Sequence, residues 1–385
     1  MHFTDNRNKI GKYIPAVVFL IFIYGMALWF IFSPKPDYSS SEKRYLQKFP
    51  EVTAEKLLSG EFGSEFETFF ADRFPQRNTW VGLNAYTALA EGNNGASGVY
   101  NCKNGYLINK PVSTENNLDK NIGAVADFAK SIDTPTTVML VPSTGYIVDD
   151  VLPTFHDKYN DDEDISKISS TLSKDKIGFV DLRERFKSEY KNGSQLYYKT
   201  DHHWTTKGAY TGYQELCKTL GITPIDDSTL KKDSYPDFYG TTYSSSGFWL
   251  TPPDNIEIWN NPKNSDRNIS VKITEGANIK TSGSMYFTDH LKEDDKYPVF
   301  IDGNHALTEI TNTNAKNGTI LLIKDSFSHS LAPFLAENYS KVVLVDLRYY
   351  KESVSDLVTT YNPEQVVVLY GIDNLATDTD IVWLK

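Results

Sequence analysis

Ser326 stands where an apolar run, residues 319–324, gives way to a segment of helical character, residues 326–339. In a strand–turn–helix its hydroxyl lies at the strand's carboxyl end, beside helix N–H groups that favour a developing oxyanion. A serine at that point also serves as a plain N-cap. As a nucleophile it needs a base, and the base needs an orienting acid. The stretch Thr200-Asp201-His202-His203-Trp204-Thr205 offers both. If the stretch is extended, residues two apart share a face, so Asp201 and His203 point together and His202 points away. Asp201 then holds the His203 imidazole in the tautomer that leaves one nitrogen free to take a proton. Adjacent His202 and His203 with Asp201 could instead bind a metal, although neighbouring side chains in a strand diverge and no third or fourth ligand is evident, or form a purely structural acid–histidine pair.

Other edge residues extend the list. The turn Gly371-Ile372-Asp373-Asn374 follows an apolar run, and the Asn374 amide is a candidate oxyanion donor. Arg348 follows another such run, with loop capping as its competing role. Ser143 also follows a strand but has no evident helix after it. His329, three residues past Ser326, either lines the pocket or, as expected first, faces along the helix surface.

These residues need a scaffold that brings distant segments to one edge. Runs rich in β-branched residues at 319–324, 341–347 and 365–370 alternate with helical segments at 326–339 and 351–361. Upstream, strands at 136–142 and 178–182 alternate with helices near 115–131, 183–190 and 206–220. Such alternation predicts an α/β fold, a three-layer doubly wound parallel sheet, with ligands at the carboxyl ends of its strands. Residues 223–310 are less periodic and read as an irregular, mostly β insertion. Asn104-Gly105 marks the turn of a hairpin over 98–109.

The N-terminal region has another character. Residues 14–32 carry no charge and nearly span a bilayer as a helix, with Arg7, Lys9 and Lys12 before them. No small-residue cleavage site follows, so the segment reads as an uncleaved signal anchor with the bulk of the chain outside the cytoplasm. A polar linker covers 33–45, and Leu57, Phe62, Phe66, Phe69 and Phe70 recur near helical spacing, which predicts a helical stalk. The expected division is 1–35, cytoplasmic N-terminus and anchor; 36–110, linker, stalk and hairpin; and 111–385, the α/β domain. A formal charge of −11 argues against nucleic acid. It also disfavours an anionic membrane surface, so bilayer contact falls to residues 14–32. Cys102 and Cys217 permit one disulfide but no metal framework, and no cofactor motif is present.

Asp201-His202-His203-Trp204 resembles the signature tetrad of bacterial DHHW proteins, which are similar to the SGNH-hydrolase-like O-acetyltransferases of alginate and other exopolysaccharide systems. Residues 69–77 and the hairpin Lys103-Asn104-Gly105-Tyr106-Leu107 look like recurrent N-terminal features of that family. The resemblance implies a circularly permuted SGNH-hydrolase-like domain, with Asp201 as acid, His203 as base and Ser326, in Lys324-Asp325-Ser326, as nucleophile. Lys324 occupies the place of the glycine in the family's Gly-Asp-Ser turn. Gly371-Ile372-Asp373-Asn374 looks like the family's Gly-x-Asn-Asp turn with its last two residues exchanged. By the same resemblance Trp204 joins Asn374 and Arg348 as candidate oxyanion or substrate-binding groups. The implied activity is O-acyl transfer, acetyl above all, to a cell-surface or secreted polysaccharide, with the acyl group delivered by a membrane-bound O-acyltransferase. A carbohydrate esterase or a non-catalytic carbohydrate-binding or assembly protein is the alternative.

Overall fold

The computed structural model describes residues 12–112 and 117–384, so Arg7, Lys9 and the first two residues of the helix expected near 115–131 lie outside the described residues. The chain divides into two compact units, the first ending at Thr87 and the second beginning at Ala88.

In the first unit Ile14–Phe32 is a 19-residue helix with mean hydropathy 2.4 and no buried residue, long and apolar enough to cross a membrane. The stalk is three successive helices, Ala54–Ser59, Glu61–Asp72 and Arg77–Ala90. Gly60 ends the first at φ 81°, a left-handed conformation that costs glycine little. Phe49 packs edge-on against Phe62, Phe66 and Phe69, which is why the phenylalanines recur at helical spacing. Arg44 grips Asp72 with two hydrogen bonds of 3.0 and 2.5 Å, tying the linker to the second stalk helix.

The second unit is built on an eight-stranded sheet. Its strands are β1 (Thr136–Val141), β2 (Gly178–Asp181), β3 (Ile269–Glu275), β4 (Asn278–Ser282), β5 (Leu307–Asn312), β6 (Asn317–Lys324), β7 (Tyr339–Val345) and β8 (Gln365–Gly371). Their order is β4-β3-β5-β7-β6-β8-β1-β2, parallel from β7 to β2 and antiparallel from β7 to β4. β6, the strand that leads to Ser326, is interior.

Period-two alternation sends Met139, Ile320, Leu322, Val342 and Leu369 to one face. Helices α3 (Arg183–Lys191), α4 (Thr206–Leu220) and α5 (Ser328–Leu335) pack there. Val138, Leu321, Ile323, Val343 and Val368 face the other way. They meet helices α1 (Asn117–Ser131), α2 (Asp161–Lys174), α6 (Val354–Tyr361) and α7 (Ile372–Thr377). With helices on both faces, the near-continuous apolar reading of β6, β7 and β8 follows.

The sheet is mixed rather than wholly parallel, because part of the expected insertion belongs to it. The alternation Ile269, Val271, Ile273 buries one face of β3, and β5 pairs directly with β7. The rest of the segment includes a bulged antiparallel hairpin, Lys231–Phe238 with Asp254–Asn260. The Asn-Gly hairpin forms as expected, Asn104 and Gly105 at φ 58° and 77°. Cys102 and Cys217 are both buried free thiols, so the disulfide allowed by the sequence is not made.

Candidate active site

Ser326 lies in the turn between β6 and α5. Asp325 shapes that turn. Its Oδ1 accepts the Phe327 N–H at 3.0 Å, while Oδ2 accepts the Gly371 N–H at 2.8 Å and the Asn374 amide at 2.7 Å. The carboxylate thereby staples the turn after β6 to the turn after β8. Burial raises the Asp325 pKa even against these bonds.

His203 arrives from the segment between α3 and α4. The segment is not extended, as the sequence pattern suggested. Tyr197 and Trp204 form an isolated bridge, and the residues between them make a bend. Asp201 Oδ1 accepts both the His203 backbone N–H at 2.9 Å and its Nδ1–H at 2.5 Å. A local turn of this kind pairs side chains two apart just as a strand would. The far nitrogen, Nε2, is 2.7 Å from Ser326 Oγ. The structure therefore brings Asp201, His203 and Ser326 into one hydrogen-bonded chain. Burial would raise the Asp201 carboxyl, but the charges of His203 and His202 and the hydrogen bonds from His203 outweigh it and hold the group well below the usual carboxylate range.

The insertion supplies the supports. Asp254 accepts the Thr200 N–H at 2.8 Å and hydroxyl at 2.7 Å, with the Lys199 N–H at 3.1 Å. Thr241 donates its N–H to Asp201 Oδ2 at 2.6 Å. Gly240 makes this approach possible, since a Cβ there would stand 2.1 Å from Asp201 Cβ. Gly240→Ala is expected to destabilise the fold by about 1–3 kcal/mol, the usual cost of overpacking, seen as a lower thermal midpoint. Tyr297 stacks on the His203 ring, centroids 4.0 Å apart and planes 13° apart, and its hydroxyl donates to the Ser326 carbonyl at 3.2 Å.

A cleft of about 500 Å³ opens over Ser326, with His202, His203, Tyr297, Arg348 and Asn374 in its wall. His202 does not point away. Its ring lies against that of His203, centroids 3.9 Å apart, and Nδ1 reaches the Thr241 hydroxyl at 2.8 Å. Burial and the neighbouring His203 push His202 down to about 4, so it is neutral at physiological pH. His202→Ala removes one neutral hydrogen bond and the ring contacts with His203 and Phe327, and is expected to lower turnover of an activated ester by less than about tenfold. Asp201, His202 and His203 each bring a ligand atom within 4.8 Å of the others. Both His203 nitrogens are already hydrogen-bonded, so the geometry displayed is that of a proton relay.

The other candidates fall out differently. Trp204 is fully buried and does not line the cleft. Its Nε1–H donates to the Phe327 carbonyl at 3.0 Å and lies 2.9 Å from Ser330 Oγ, bracing the segment that carries Ser326. Asn374 borders the cleft with its amide turned onto Asp325. Arg348 borders it too, bound to Asp346 at 2.9 and 2.6 Å and to Asn304 at 2.8 Å. The Lys324 side chain does not crowd the serine. It is buried, with Nζ 2.8 Å from Asp346 and 2.9 Å from His329 Nε2. His329 is thus interior rather than on the helix surface. Ser143 opens the short helix Thr144–Ile147 and donates to Asp373 at 3.1 Å, away from the relay. Burial raises Asp373 to about 6.

The sequence model described as "DHHW protein" matches residues 112–345, more than half of the chain's 385 residues. The chain belongs to the DHHW family. No curated protein matches it. Among solved structures it resembles a DHHW family protein from Eubacterium siraeum, with 17% identity and TM-score 0.63, over 75% of this chain and 95% of that one. It also resembles Bacillus cereus PatB1 solved with a sulfonyl adduct, with 21% identity and TM-score 0.61, over 74% of this chain and 97% of that one. A second structure of Bacillus cereus PatB1 gives 21% identity and TM-score 0.60, over 73% of this chain and 98% of that one. At these identities the likeness establishes the fold. Within the tetrad, Asp201 and His203 are hydrogen-bonded to each other, His202 borders the cleft, and Trp204 bonds the segment that carries Ser326. Sequence reasoning did not reach Tyr297, Asp254 or Thr241, which meet the site only through tertiary pairing.

Proposed function

We propose that this DHHW protein is a serine O-acyltransferase, with acetyl as the transferred group, on a permuted SGNH-hydrolase-like domain. The observation that carries the reading is the Asp201–His203–Ser326 chain, 2.5 and 2.7 Å, at the floor of an open cleft. His203 Nε2 takes the Ser326 proton as Oγ bonds to the acyl carbonyl carbon. Collapse of the tetrahedral adduct breaks the bond to the donor's leaving group, which leaves with the proton from His203. A polysaccharide hydroxyl then attacks the Ser326 ester and gives its proton to His203. The acyl group ends on the sugar, and Ser326 recovers its proton. Asp201 stays ionised and steadies the imidazolium at each step. The Ser326 N–H has no acceptor among the described residues and is a donor for the oxyanion. Asn374 and Arg348 serve as further donors in the cleft wall.

The apolar helix Ile14–Phe32 supports a single-pass anchor with the α/β domain outside the cytoplasm, where surface polymers are within reach. The acyl donor in this reading is a membrane-bound O-acyltransferase. One observation favours the rival, a non-catalytic carbohydrate-binding protein: Asp325 already engages the Gly371 N–H and the Asn374 amide. Ester-linked acetate on surface polysaccharide separates the two. In cells lacking the protein it is expected to fall, and wild type but not Ser326→Ala should restore it. Equal restoration by both would favour the binding role. Release of free acetate without polymer acetylation would mark an esterase.

A further inference from the structure

The buried group beside Ser326 has a feature the relay does not use. Lys324 Nζ is 2.8 Å from Asp346 Oδ2 and 2.9 Å from His329 Nε2, and both side chains are about 1% exposed. An ammonium paired with a carboxylate has only hydrogens to offer. His329 Nε2 must therefore be the acceptor. Burial, then the charge of Lys324, push the His329 pKa well below its ordinary value, so the ring is neutral. A neutral imidazole that accepts at Nε2 carries its hydrogen on Nδ1. That Nδ1 is buried and has no hydrogen-bond partner among the described residues. His329 also forms part of the wall of the Ser326 cleft and sits on the first turn of α5, its backbone N–H bonded to the Ser326 carbonyl at 3.2 Å.

A buried donor without an acceptor is costly, so such a group normally has an occupant to serve. We infer that His329 is a substrate-binding residue, its Nδ1–H donating to an oxygen of the substrate seated over Ser326, with Lys324 fixing the tautomer that makes this possible. The inference rests on the serine-acyltransferase reading for the substrate's place, while the tautomer itself can be measured without it. It gives the lysine before Asp325-Ser326 a task. Lys324 acts through His329 and is a positioning residue.

Two measurements on the full chain in detergent test this. Nitrogen-15 NMR of the histidines in wild type is expected to show His329 neutral and protonated on Nδ1, and Lys324→Met should release that preference. A neutral Nε2–H form in wild type would overturn the inference whatever the chemistry at Ser326. With p-nitrophenyl acetate, His329→Leu and Lys324→Met are each expected to lower kcat/KM on the order of a hundredfold, the effect of removing one preorganised donor. His329→Asn, which keeps a side-chain N–H, should recover part of the loss. Thermal midpoints close to wild type show that the variants are folded. If Ser326→Ala is inactive while both His329→Leu and Lys324→Met stay within twofold of wild type, the Nδ1–H serves an internal water and the inference fails alone. If Ser326→Ala is as active as wild type, the serine reading fails, and the tautomer measurement still decides whether the donor exists.

Discussion

Ser326→Ala and His203→Ala are each expected to lower turnover of an activated acyl ester by as much as about 10⁶-fold, and the double variant by no more than either alone. The reason is the 2.7 Å contact between Oγ and Nε2. Without the hydroxyl the base has nothing to deprotonate, and without the imidazole the hydroxyl remains a weak nucleophile. Groups that act as one unit give non-additive losses, so the double variant carries more information than either single one. Multiplying losses would mean that the two side chains act in separate steps, and the relay would have to be abandoned. Steady-state rates for the four forms, with a circular dichroism check of folding, supply the comparison.

Asp201→Asn is expected to cost about 10⁴-fold in kcat. The magnitude follows from the hydrogen-bond inventory. Oδ1 accepts from the His203 N–H and Nδ1–H, and Oδ2 accepts from the Thr241 N–H. An asparagine offers one acceptor oxygen where two are required. If its oxygen faces Thr241, its NH₂ faces His203 Nδ1, and the imidazole must move its hydrogen to Nε2. The nitrogen toward Ser326 then cannot take a proton. If the oxygen faces His203, the NH₂ opposes the Thr241 N–H and the buried turn is pushed apart. A kcat within tenfold of wild type would show that Asp201 is structural only.

The sequence contained the relay because its members lie at local punctuation. Ser326 follows a strand that is apolar on both faces, and Asp201 and His203 are two residues apart, a spacing that pairs side chains in a strand and in a turn alike. That ambiguity is why the partners could be named while the conformation was misjudged, and why His202 was expected to point away. Trp204 could not be placed from its type, since an indole serves a core and a sugar equally well; its two hydrogen bonds decide for the core. The edge strands are a different case. Ile269, Val271 and Ile273 do alternate, but whether such a strand forms its own sheet or extends an existing one depends on pairing across long loops. Tyr297, Asp254 and Gly240 were illegible for the same reason. Each meets the relay from the insertion, and nothing in its neighbours in sequence marks the distance it will cover. Lys324 stands where the family pattern has glycine, a place that by itself says nothing of where the longer side chain goes. The structure turns the side chain toward Asp346 and His329, neither of which its position in sequence identifies as a partner.

Covalent labelling tests the central claim most directly, because a serine activated by a neighbouring base reacts with electrophiles that leave ordinary hydroxyls untouched. The purified full chain is treated with a fluorophosphonate or a sulfonyl fluoride at neutral pH and digested, and the modified residue is located by mass spectrometry. The account predicts a single adduct on Ser326, formed far more slowly in His203→Ala and absent in Ser326→Ala. Wild-type protein that stays unmodified while folded, or an adduct that maps elsewhere and persists in Ser326→Ala, would contradict it.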